Sequence, residues 1–181
     1  MWYKECMAIR FRYIDKQGVG HISLTQGKEA LVDAEWLAVL GQYRWSANHE
    51  HNRWYAIRAV NGKRVAMHQV VLGAPEGVKV DHRDRSPEGG LDNRIANLRL
   101  ASPSQNGYNR GKLANNTSGY KGTYWHKASG KYSSQIAFNG RLIHLGLFRT
   151  AIEAAAVYNF AATRLHGEFA ALNDLSSTEA I

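Results

Sequence analysis

The chain has 181 residues, of which 44% are hydrophobic, with a formal net charge of +8 and a pI near 9.7. That composition describes one or two folded domains rather than a disordered chain, and its cation excess favours a polyanionic partner through interactions that salt weakens. The single cysteine, Cys6, excludes a disulfide framework and a cysteine-ligated site, so no structural zinc is expected. No segment approaches the roughly 20 apolar residues that span a bilayer, and the start MWYKECMAIRFR lacks a signal-peptide apolar region; the expected location is intracellular, with no membrane partner.

Residues 1–65 read as a β-rich leader. ISLTQGKEALVDAEWLAVL predicts a hairpin followed by a short helix near residues 33–40, and QYRWSA and RWYAIRAV read as further strands. His49 and His51 in NHEHN have metal-ligating side chains, but two loop histidines do not make a site. His68 lies on an apolar run with Val70, Val71 and Leu72 and reads as a packed, structural histidine.

The stretch VDHRDRSPEGGLDNRIANLRLASPSQN concentrates the chemistry, with Asp81 and His82 followed by Asn93, Asn97 and Asn106. Residues 78–82 and 98–101 are predicted strands. Ser102, Pro103 and Gln105 then give an N-cap hydroxyl, a first-turn proline and a capping-box glutamine, so a short helix starts there and carries Asn106 on its first turn, facing back towards Asp81 and His82. A hard cation such as Mg²⁺ prefers oxygen ligands and keeps several waters, so the Asp81 carboxylate and the Asn106 amide suffice if substrate phosphate completes the shell. A neutral imidazole has a reference pKa of about 6.5, which lets His82 take a proton from water near neutral pH. The Asn97 amide is placed to tie the loop to the backbone in a supporting role. Asp84 and Asp92 read as turn residues, and Arg94 and Arg99 either touch phosphate or solvate the loop.

The runs MHQVVLG, VDH, DNRIANLRLAS and SQN resemble the HNH endonucleases, in the homing-endonuclease-like branch of phages and mobile introns that has asparagine in the third position. The likeness spans residues 66–110. It implies a ββα-metal fold (His-Me finger) with His82 as general base, Asp81 and Asn106 on a divalent metal (Mg²⁺, with Mn²⁺ as a substitute), and Asn97 as the middle letter of the motif. The loop between His82 and Asn97 is longer than in some relatives.

Residues 111–118 are rich in glycine, asparagine and small polar residues and read as a linker. Strands are predicted at 119–126, 131–138 and 141–148, the last two joined by Asn139-Gly140, a strong hairpin signal because both residues tolerate positive φ. Thr150 and Glu153 form a capping box for an alanine-rich helix over 151–165, whose small residues at 154, 155, 161 and 162 permit close packing and which stops at Gly167. No acidic residue occurs from Gly111 to Arg149, where Lys112, Lys121, Lys127, Lys131, Arg141 and Arg149 interleave with Tyr120, Tyr124, Trp125 and Tyr132. Such a sheet suits nucleic acid, since one face fits a major groove about 12 Å wide.

The run from SGYKGTYWHK to HGEFAALN resembles the Apetala-two, or ethylene-response-factor, DNA-binding domain, through GYKG, the tryptophan before HK, GKY, IHLG-F, the EAA run, YNFAA and HGEFA-LN. That likeness implies a three-stranded sheet in the major groove of double-stranded DNA, with Lys121, Trp125, Lys131, Gln135 and Arg141 as contacts. Where relatives carry arginine on the first two strands, this chain has Lys121, Tyr124 and Ser133 or Ser134, so no plant-type sequence preference is implied.

The expected fold class is α+β: a leader over 1–65, a ββα-metal core over 66–110, a linker over 111–118, a three-stranded antiparallel sheet on one helix over 119–174, and a tail over 175–181. The expected function is metal-dependent cleavage of DNA in the cytoplasm of a bacterial or phage-infected cell. A non-catalytic DNA-binding regulator on a nuclease-derived scaffold is the alternative from another class, and an RNA-binding protein is a third.

Overall fold

A computed structural model describes residues 12–75, 77–113 and 115–176; Cys6 and the end of the tail, residues 177–181, lie outside the described residues. The fold is mixed α and β and divides into two compact units, Met1–Leu100 and Ala101–Ile181. Among the described residues there are three three-stranded antiparallel sheets and one two-stranded pair. No helix among them is long and apolar enough to cross a membrane.

The first unit begins with a meander of β1 (Arg12–Ile14), β2 (Val19–Ser23) and β3 (Glu29–Asp33), followed by helix α1 (Ala34–Leu40). A second meander comprises β4 (Ser46–Glu50), β5 (Arg53–Val60) and β6 (Lys63–Ala66), then the short helix α2 (Met67–Val71). Its two turns are both two residues long with positive φ throughout: His51 at 50° and Asn52 at 63°, then Asn61 at 49° and Gly62 at 75°. This geometry matches the twist of the flanking strands, so His51 serves the turn itself.

Strands β7 (Lys79–His82) and β8 (Leu98–Ala101) pair with each other, and the chain's division into units falls at the end of β8. One apolar core serves the leader and the motif strands together. Ile22, Ala30 and Val32 pack with Leu40, Trp45, Ala56, Met67, Val71 and Leu98, and the Trp45 indole N–H donates to the Leu40 carbonyl at 2.9 Å. The leader also holds the motif loop directly, because the Asn93 amide N–H donates to the Leu31 carbonyl of β3 at 2.8 Å and Leu31 bridges Asp92 in parallel.

In the second unit, α3 (Pro103–Asn109) starts with a complete capping box: Ser102 accepts from the Gln105 N–H and the Gln105 side chain accepts from the Ser102 N–H. Strands β9 (Thr123–His126), β10 (Lys131–Phe138) and β11 (Arg141–Phe148) form a sheet in the order β11-β10-β9. The predicted strand over 119–126 is shortened to its last four residues because Asn116 and Ser118 bind the carbonyls of Tyr120 and Thr123 and hold the preceding residues in a turn. Asn139 and Gly140 make the expected turn, with φ of 49° and 73°.

Helix α4 (Ala151–His166) begins with the Thr150–Glu153 capping box and lies on the sheet through buried Ala154, Ala155, Tyr158 and Ala162, the last two against Ile136. Gly122 permits this approach: a Cβ there would stand 2.1 Å from the Tyr158 ring. Helix α3 is built into the same unit. The Tyr108 ring stacks on His166 with centroids 3.9 Å apart, its hydroxyl accepts from the Asn139 N–H at 3.1 Å, and the Lys121 ammonium donates to the Tyr108 and Arg110 carbonyls at 2.6 Å.

Candidate functional site

Asp81 and His82 end β7 and are buried, at 3% and 2% exposure. A buried carboxylate needs a countercharge, and here the Arg99 guanidinium of β8, 8% exposed, donates through Nε and Nη2 to Asp81 Oδ2 at 2.9 and 2.7 Å. The His82 ring packs edge-on against His68 with centroids 4.9 Å apart, and the Tyr55 ring lies 5.9 Å away. His68 is thus a packed histidine whose neighbour is the motif imidazole.

Burial pushes the His82 pKa down to about 3, with His68 and Arg53 acting in the same direction and the Asn93 side chain opposing them; burial alone takes His68 to about 4. Both rings are therefore neutral at pH 7, and burial leaves His82 a weaker base than the free imidazole of about 6.5 expected from the sequence.

Asn97 knots the loop that joins the two strands. Its side-chain oxygen accepts from the Asp84 N–H at 2.8 Å, its amide nitrogen donates to the carbonyls of Asp92 at 2.8 Å and Gly89 at 3.2 Å, and its own carbonyl accepts from the Arg83 N–H at 2.8 Å. Asp84 closes a turn on Ser86, and Asp92 binds Arg94 through both carboxylate oxygens at 2.8 and 2.6 Å. Gly90 presses the loop onto β5, where a Cβ would meet the Trp54 carbonyl at 2.2 Å.

Asp81, His82 and Asn97 thus lie together in the first unit, and Asn106 lies half-buried on the first turn of α3 in the second. Among the described residues no three histidine, cysteine or acidic side chains converge as a metal cluster. The Asp81 carboxylate is a hard oxygen donor of the type Mg²⁺ takes, which suits a cation whose shell is completed largely by waters and substrate oxygens.

On the sheet of the second unit, register separates the five nominated contacts. Ile136 faces α4, and the Ser133–His144 hydrogen bond, with the pairings Ser133–Tyr124 and Gln135–His144, places Tyr124, Ser133, Gln135 and His144 on the opposite face. Lys131, two residues before Ser133, joins that outer face. Trp125 pairs with Tyr132 on the alternate face, yet at the sheet's end it remains 46% exposed. Arg141 is exposed at the Asn139-Gly140 turn, opposite Phe138. The Lys121 ammonium is committed to the backbone carbonyls of Tyr108 and Arg110, which makes it a tie within the unit.

Over 96 residues the chain is 34% identical to Protein 3.8 of Escherichia phage T7, a stretch covering 53% of this chain and 76% of that protein. The chain belongs to the protein 3.8 family. This member of the protein 3.8 family is also 28% identical over 152 residues to a protein of Acanthamoeba polyphaga mimivirus described as an uncharacterized HNH endonuclease, covering 83% of this chain and 77% of the relative. That likeness supports an HNH nuclease relationship. No protein-family model and no solved structure matches the chain.

Sequence reasoning left Arg99 open between phosphate contact and loop solvation, and the structure gives it neither role. In LRLA an arginine sits within an apolar strand, which signals a buried charge, but local sequence does not say which residue answers it. The place of Asn93 beside His82 follows from its anchor on β3, which local sequence does not reveal.

Proposed function

We propose that the chain is a metal-dependent DNA endonuclease of the HNH type, homing-endonuclease-like, acting in a bacterial or phage-infected cell. The observation that carries this reading is the buried Asp81–His82 pair beside the Asn97-knotted loop, in a chain related to a protein described as an HNH endonuclease. His82 is the general base: it is neutral at pH 7, held between His68, Tyr55 and Asn93, and takes a proton from the attacking water. Asp81 and Asn106 are the oxygen donors that would hold Mg²⁺ or Mn²⁺. When bound, the ion would polarise the phosphate and stabilise charge on the leaving oxygen. Asn97 keeps the loop in place.

The core over residues 66–110 corresponds in this reading to a ββα-metal nuclease fold. The unit with the three-stranded sheet corresponds to an Apetala-two type module that docks on duplex DNA through its major groove. Lys131, Gln135, Trp125 and Arg141 are its contacts, and the absence of acidic residues between Gly111 and Arg149 favours the phosphate backbone.

A second reading, a non-catalytic DNA-binding regulator, is favoured by one observation: Asp81 and His82 are almost wholly buried and Asp81 already has a cationic partner. Incubation of the full chain with supercoiled plasmid in Mg²⁺ or Mn²⁺ separates the two. The nuclease reading expects relaxed or linear product that a chelator suppresses. Folded, metal-supplemented protein that binds duplex DNA and cuts none of a varied set of substrates supports the regulator.

A further inference from the structure

We propose that Arg99 is a positioning residue for the cation site, holding the Asp81 carboxylate in one orientation with a buried countercharge; the proposal rests on the metal-nuclease reading above. Two donors of one guanidinium, Nε at 2.9 Å and Nη2 at 2.7 Å, converge on the same oxygen, Asp81 Oδ2, between strands that pair with each other. Both residues are buried, so neither side chain is held by solvent or left to choose among rotamers.

A buried ion pair is a poor source of stability, because the desolvation of both charges offsets most of their attraction and apolar residues of similar volume do as well or better. A pair kept at the end of the motif strand, next to the motif histidine, therefore serves the carboxylate rather than the core. Carboxylates that ligate metals are held by outer partners, and loss of such a partner typically lowers metal affinity or activity by roughly 10- to 100-fold. The two guanidinium donors anchor one carboxylate oxygen from two directions, which the single-point ammonium of lysine does not reproduce.

The test is Mn²⁺ binding to the full chain, followed by calorimetry and by electron paramagnetic resonance, for the wild type and Arg99→Lys, with circular dichroism to establish that the variant is folded. Arg99→Lys is expected to bind Mn²⁺ at least about tenfold more weakly while its affinity for duplex DNA in chelator stays within about twofold. In cleavage, the metal concentration for half-maximal rate rises more than the rate at saturating metal falls, a split that a merely structural role does not produce. If Arg99→Lys does not fold, the wild type still decides: in a Mg²⁺ titration followed by nuclear magnetic resonance, the Arg99 Nε–H signal shifts and saturates with the binding curve. Equal Mn²⁺ affinity of wild type and Arg99→Lys, or an Arg99 signal unmoved while Mg²⁺ binds, overturns the role of Arg99 and leaves the nuclease reading standing. A wild type that binds neither ion overturns both.

Discussion

On β7 and β8 Asp81, His82 and Arg99 face inwards, nearly closed off from solvent, whereas on β9 to β11 Tyr124 and Trp125 are 38% and 46% exposed and Lys131 and Arg141 stand at the surface. An inward polar group must be partnered, so its position is fixed by specific bonds, such as those of Arg99 to Asp81 and of the Asn97 amide to three backbone groups. An outward group is placed only by strand register and answers to whatever molecule arrives. Substitutions in the first region should therefore change chemistry or folding, and those in the second should change affinity and its dependence on salt.

The largest contrast is expected at His82. His82→Ala should lower single-turnover cleavage by about 10² to 10⁴ with little change in duplex affinity, as read by plasmid nicking and gel shift on one preparation. Asn97→Ala comes next, since it leaves the Asp84 N–H and the carbonyls of Gly89 and Asp92 without their partner. The two carbonyls are partly shielded and the Asp84 N–H is exposed, so the loss should lie at the low end of the roughly 1 to 3 kcal/mol that a buried unsatisfied group costs, and thermal or urea unfolding should show it; wild-type stability in this variant would mean that the loop is held by other contacts.

A subtler contrast lies within the second unit. Lys131→Ala should weaken duplex binding and reduce the slope of log affinity against log salt by about 0.9, the value of one phosphate contact. Lys121→Met should leave that slope alone and lower the melting temperature instead, because its ammonium serves the Tyr108 and Arg110 carbonyls. Equal slopes for the two variants would erase the distinction that the structure draws between them.

The smallest effect is expected far from both sites. Burial pulls the His21 pKa down, but Asp15 and Glu29, each 3.1 Å from a ring nitrogen, outweigh it and raise it; the Val19 N–H and His21 lower that of Asp15. The His21 contribution to stability is complete below its unfolded pKa of about 6.5 and is lost as pH rises through the raised folded value. That of Asp15 is present above its ordinary value of 3.8 and lost as pH falls through the lowered one. The melting-temperature advantage of the wild type over His21→Gln should therefore peak in mildly acid buffer and shrink as the pH is raised.

Local chemistry made much of the second unit legible. The capping boxes at Ser102 and Thr150, the Asn139-Gly140 turn and the alanine face of α4 are short-range features that residue type alone dictates. The same reasoning applied to Asn61-Gly62 identifies the β5–β6 turn, whereas His51-Asn52 did not announce itself, because positive φ at histidine is set by the strands on either side. Long-range features were less legible. The leader's Leu31 holding Asn93, Arg99 meeting Asp81, and Lys121 capping the carbonyls near the end of α3 join residues distant in sequence, and no local pattern encodes them. At the candidate site the order of residues singled out Asp81 and His82, which the structure places side by side and buried, but it did not reveal that Arg99 pairs with Asp81.

The central proposal is that His82 acts beside Asp81 in a metal-dependent cleavage centre, and metal-titrated nicking of supercoiled plasmid by wild type and His82→Ala, side by side, tests it most directly. The account predicts no product in chelator, product restored by Mg²⁺ or Mn²⁺ for the wild type, and none above background for His82→Ala although it still shifts the plasmid. Cleavage that ignores the chelator, or a His82→Ala protein that nicks at the wild-type rate, would contradict it.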